Sequence, residues 1–224
     1  MVQGTYASLV GMVDAWTKNH PTSSRGLLFG GQVLNDWADF EYLQDIAPVD
    51  PAKRLANMKE RSLQSLEYFQ KGADAYGREL IRNGGTNQSI EPYLVWFNAL
   101  VGIGHNNTVN LAKSVNRAGL LKVRSSIQAL PGKAAQTHMN LLAKTLNARL
   151  TDEREPLHED MKYRYLAAAL VVTKDDPFTM ALQKRATYLD ELLSEIRVQT
   201  RVDGPNTVGA NQEFGIVVSV VHTE

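Results

Sequence analysis

Apolar positions recur at spacings of three and four along most of the chain, the signature of amphipathic helices. In the first segment Tyr6, Leu9, Val10, Val13 and Trp16 fall on one face, and the pattern breaks at Asn19-His20-Pro21. A second helix is expected from about Gln32 to Ile46, carrying Val33, Trp37 and Phe40 and ended by Pro48. The third is the most clearly marked. Asp50 is a natural N-cap, and Pro51 sits at the first helical position, where a missing N–H costs nothing. Leu66, Phe69, Ala73, Tyr76 and Leu80 keep the helical spacing, and Asn83-Gly84-Gly85 supplies a left-handed stop. At ~1.5 Å per residue this helix is a rod of roughly 48 Å. A rod of that length needs neighbours along its whole apolar stripe.

Glu91-Pro92 opens a fourth helix whose residues Tyr93 to Phe97, Leu100, Val101 and Ile103 are apolar on nearly every side. Such a helix belongs in the centre of a fold rather than on its surface. Thr108 to Leu130 and Gly132 to Leu150 read as two more, split by Pro131-Gly132. Pro156 to Val172 is a seventh, and Asp176-Pro177 opens an eighth with Phe178, Leu182, Leu189, Leu193 and Ile196 in its stripe. Beyond Ile196 the period changes. Val198 to Val202 alternates, Asp203-Gly204-Pro205 is turn chemistry, and Phe214 to Val221 has the composition of a buried strand. Two strands do not make a stable sheet alone. The tail therefore packs on the helices, pairs with another chain, or begins a second domain truncated at residue 224.

The expected fold is mainly α. It has about eight helices, as a bundle or an irregular, repeat-like stack of helix pairs, with a short C-terminal β hairpin or strand. The expected division is a helical domain over 1–198 and a β tail over 199–224. No side-chain pattern recurs at the periods of helical repeats, roughly 33 to 47 residues.

Composition removes whole classes of function. The 224 residues include no cysteine, so disulfides, thiolate nucleophiles and cysteine-ligated metals are ruled out. No apolar run reaches the ~18–20 residues of a membrane span, and no basic segment precedes Leu9–Val13 as in a secretory signal. A cytoplasmic location is the default expectation, with a mature secreted fragment as the alternative.

Net charge is zero, with 24 basic and 24 acidic side chains. That balance hides an asymmetry. Residues 92–151 hold no acid and seven cations: Lys113, Arg117, Lys122, Arg124, Lys133, Lys144 and Arg149. Residues 152–195 then carry ten acids against six bases. Lys113, Arg117, Arg124 and Gln128 share one helical face, and Lys133, Thr137, Asn140, Lys144 and Asn147 form a polar stripe on the next. These seven cations are the candidate anion-binding residues, with amides and hydroxyls between them suited to phosphate. The competing reading is internal: they complement the acidic helices that follow.

Other chemistry is thinner. Glu155 and His158 form a single Glu-x-x-His, whereas di-iron bundles need two such motifs plus further carboxylates. Gly102-x-Gly104 has asparagine where a dinucleotide fingerprint has its third glycine, and helix rather than strand precedes it. Gly30-Gly31 reads as a loop or a small anion nest ahead of the second helix. His20, His105, His138 and His222 have no placed catalytic partner. Asn87-Gln-Ser89 and Asn106-Asn-Thr108 match the glycosylation pattern, which has no meaning in a cytoplasmic chain. Trp16, Trp37 and Trp96 all fall on apolar faces and read as core anchors.

With no convergent catalytic set, the leading expectation is a non-catalytic scaffold or protein-binding module, acting through a protein partner or self-association. Nucleic-acid or polyanion binding through 113–149 is the alternative. A metal-dependent helical enzyme is the third, and no cofactor is expected.

Overall fold

A computed structural model describes residues 2–43, 50–84, 89–105, 109–155, 157, 159–174, 180–194, 196–203 and 215–222. It describes side chains over 4–40, 50–84, 89–102, 117–155, 157, 161–174 and 180–188. Among these residues the chain is mainly helical. The helices are α1 (Val2–Asn19), α2 (Ser24–Leu43), α3 (Pro51–Arg82), α4 (Glu91–His105), α5 (Val109–Gln128), α6 (Lys133–Leu150), α7 (Glu159–Thr173) and α8 (Met180–Ser194). The chain divides into two compact units, Met1–Thr179 and Met180–Glu224.

In the first unit, consecutive helices from α1 to α5 pack on one another, and α7 packs on α4, α5 and α6. α3 begins and ends as the sequence indicates. The Asp50 carboxylate accepts from the Ala52 N–H at 3.0 Å, with Pro51 in the first turn. Asn83 closes the helix, and Gly84 follows at φ +69°. The core is centred on α4, where Tyr93, Trp96, Phe97 and Leu100 are almost completely buried. They share that core with Leu80 of α3, Val123 and Ile127 of α5, Leu142 and Leu146 of α6, and Ala169 and Val172 of α7. An apolar helix with no polar face has found the central position its pattern demands.

α2 departs from expectation. It starts at Ser24, so Gly30 and Gly31 lie inside a helix and form neither loop nor anion nest. Two tertiary facts account for this. Glu79 of α3 accepts from the Ser24 N–H at 2.7 Å and from its hydroxyl at 2.9 Å, placing a carboxylate on the N-terminus of α2. And α2 lies too close to α3 for side chains at the contact: a Cβ on Gly31 would stand 2.7 Å from the Phe69 ring, and one on Gly72 2.7 Å from Leu28. Gly102 and Gly104 likewise sit within α4, so the partial dinucleotide motif is helix.

α7 starts at Glu159, later than expected, and Glu155 stands in the preceding connection rather than on a helix. The Glu-x-x-His spacing is therefore not a helical one; His158 lies outside the described residues. So do Ile46, Pro48, Gly85, Pro156, Asp176-Pro177, Phe178 and Phe214.

The second unit consists of α8 followed by an antiparallel hairpin, β1 (Ile196–Asp203) and β2 (Gly215–His222). Ile196 pairs with His222, and Asp203 with Gly215. The alternating Val198–Val202 stretch falls in β1.

Candidate interaction surfaces

The seven cations do not form one uniform site. Arg149 is turned inward electrostatically. Its guanidinium lies 3.8 Å from Asp152 and 3.7 Å from Glu155, and it donates to the Glu155 carbonyl at 3.1 Å. Asp152 also accepts from the Arg154 backbone N–H, and that hydrogen bond first, then the Arg154 charge, holds its carboxyl below the usual range. At this end of the stripe, the acidic segment does answer the cation. Lys122 is exposed and donates to the neutral Gln70 of α3 at 3.3 Å. Arg124 is half-buried. Arg117, Lys133 and Lys144 are exposed, with no acidic partner among the described residues. Lys113 lies in α5, and its side chain is outside the described residues.

A different surface stands out at α1 and α2. Leu9, Met12, Val13 and Trp16 of α1 face Arg25, Gly26 and Phe29 of α2 across a groove of about 520 Å³. Met12 is 58 % exposed, Phe29 55 % and Trp16 38 %. Trp16 is thus not the core anchor its apolar face implied, whereas Trp37 and Trp96 are buried. The α1 stripe is real, but only Val13 in it is deeply covered. Gly26 makes room for the Trp16 ring, which a Cβ at that position would strike. On its other side the indole stacks on His20, with ring centres 4.4 Å apart, and His20 Nδ1 lies 3.0 Å from the Trp16 carbonyl. The large ring is held in place yet remains open to solvent. Among the described residues lining the groove, Arg25 is the charged one. The sequence reading missed this site because Met12, Phe29 and Arg25 form no motif.

Trp37 is fixed on both sides. Tyr6 stacks on it at 5.8 Å, and the Arg61 guanidinium lies 3.3 Å from its ring centre. This ties α1, α2 and α3 together and leaves the indole unavailable to a ligand.

Deeper in the unit, His138 of α6 is only 1 % exposed and lies against the rings of Tyr76 and Tyr93. Its Nδ1 is 2.8 Å from the Ala134 carbonyl, while its Nε2 and the Tyr93 hydroxyl find no hydrogen-bond partner among the described residues. Among the described residues no carboxylate bonds to His138 as a catalytic dyad would require. Among the described residues no group of three metal-ligating side chains comes together, and no helix is long and apolar enough to cross a membrane.

The described geometry therefore defines a mainly α protein with an open aromatic groove and a partly neutralised basic stripe. No protein-family model, curated protein or solved structure matches the chain.

Proposed function

We propose that the chain is a non-catalytic, protein-binding helical module that takes the apolar face of a partner helix into the α1–α2 groove. One observation carries the reading: Met12, Trp16 and Phe29 expose large apolar surface side by side, on rigid helices, in a concave site. A contiguous apolar surface of this kind marks an interaction site, and a trough between two helices suits an amphipathic helix with anchors one turn apart. Arg25 at the edge favours a partner carrying a carboxylate beside its apolar face.

Selection from a displayed library of helical peptides tests this. The selected peptides are expected to carry apolar residues at i, i+3 or i+4, and i+7, together with an acid. Met12→Glu with Phe29→Glu should abolish their binding while the helical circular dichroism stays unchanged. Undiminished binding to that double variant, or no enrichment at all, would remove the reading.

A second reading rests on Arg117, Lys122, Lys133 and Lys144, which are exposed and face no acid among the described residues. We propose polyanion binding there as the alternative. Four phosphate contacts on duplex DNA would give log K against log salt a slope of about −3 to −4. A flat salt dependence, or the same slope after all four become Ala, would exclude it.

A further inference from the structure

A second cavity, of about 310 Å³, lies between α4, α6 and α7. It is at the small end of the range for small-molecule sites, about 300–1,000 Å³. Leu94 of α4 and Met161 of α7 supply apolar walls. Asn98 of α4, Thr145 and Arg149 of α6, and Tyr165 of α7 supply the polar groups. Within each of α4, α6 and α7 these positions are one helical turn apart, so three rigid elements point them at one space.

The polar lining is rich in donors, and no carboxylate is among the described lining residues. Tyr165 donates its hydroxyl to Asn98 Oδ1 at 3.3 Å, which leaves the Asn98 amide N–H groups for another acceptor. Burial lifts the Tyr165 hydroxyl to about 12, with Arg149 opposing only in part, so it stays protonated at neutral pH. Among the described lining residues Arg149 is the charged one. Its contacts with Asp152 and Glu155, at 3.8 and 3.7 Å, are longer than charge-assisted hydrogen bonds of about 2.7–2.9 Å. The guanidinium has five N–H groups and so keeps donors for a further oxygen.

Gly102 bears on how open the cavity is. It lines the same cavity inside α4, yet no described atom lies within 4 Å of where its Cβ would stand. Glycine weakens a helix interior relative to alanine. Gly31, Gly72 and Gly119 have a packing reason for being glycine; among the described residues Gly102 has none, and its lack of a side chain leaves the cavity open.

We propose that the α4–α6–α7 cavity binds a small organic carboxylate, with an apolar tail between Leu94 and Met161 and its carboxylate on Arg149 and Asn98. This site is independent of the α1–α2 groove and involves none of its residues. Calorimetric titration of the full chain with octanoate, and with octan-1-ol as the uncharged match, tests it. Saturable octanoate binding is expected, with octan-1-ol at least about tenfold weaker, the factor for losing a charge-assisted bond. Gly102→Leu fills the open space and should abolish octanoate binding without lowering the melting temperature. Arg149→Gln should reduce octanoate affinity about tenfold and leave octan-1-ol unchanged. Absence of saturable octanoate binding, full binding by Gly102→Leu, or equal affinity for acid and alcohol would overturn the assignment.

Discussion

Glycine occupies two opposite environments inside these helices, and a single methyl group tells them apart. At Gly31 a Cβ would stand 2.7 Å from Phe69, a ring that is itself buried and cannot swing away. Gly31→Ala should therefore overpack the α2–α3 contact and cost about 1–3 kcal/mol. At Gly102 the same methyl meets nothing within 4 Å among the described residues. Gly102→Ala should stabilise by about 0.4–1 kcal/mol, mostly by restricting the unfolded chain. Urea unfolding of the two variants measures both, and shifts of the same sign would contradict the packing described. Glu79 belongs to this scale too. It begins a helix 55 residues away in sequence through two hydrogen bonds, an effect no local pattern carries.

At the scale of elements, the tryptophans separate helices that look alike in sequence. Trp16 and Trp96 each lie on an apolar helical face, but Trp96 is buried in the centre of the fold and Trp16 borders an open groove. Trp96→Ala should cost about 3–5 kcal/mol. Trp16→Ala should cost less, about 2–3 kcal/mol, since the residue is already 38 % exposed. Thermal melts of the two variants check the ratio, and equal losses would mean that α1 is covered more fully than described. Periodicity revealed the apolar stripe of α3, and Asp50-Pro51 marked its start, because both are local; it carried the eighth helix to Ile196, which instead opens β1. It did not reveal whether a face is covered. It also misplaced the start of α2, since Gly30 and Gly31 resemble a loop until Tyr68 and Phe69 of α3 are brought against them. Of the basic stripe, spacing identified exposed positions such as Arg117 and Lys144. The loop that folds Asp152 and Glu155 onto Arg149 depends on where α7 begins, and the sequence placed that start too early. Both cavities arise where helices meet, so no single stretch of sequence records them.

At the scale of the whole first unit, buried phenols couple its stability to alkaline pH. Burial lifts Tyr93 far above its ordinary value and Tyr165 to about 12. Tyr68 is also lifted to about 12, first by burial and then by its hydrogen bond to the negatively charged Asp14. The unfolded value is about 10. Below pH 10 both states hold these protons, and the stability associated with them is fully present. Above it the unfolded chain releases protons that the folded chain retains, so stability falls as pH rises through the folded values. Tyr93 and Tyr165, both buried, should each remove about 1.4 kcal/mol per pH unit in that window. Because Tyr68 joins α3 to α1 through Asp14, and Tyr93 and Tyr165 lie within the α4-centred core, their ionisation and unfolding should coincide. Tyrosinate absorbance recorded alongside helical circular dichroism should thus show Tyr68, Tyr93 and Tyr165 ionising together with the loss of helix. A smooth titration of all eight tyrosines near pH 10 with intact helices would mean that the phenols at the centre of the fold are in contact with water.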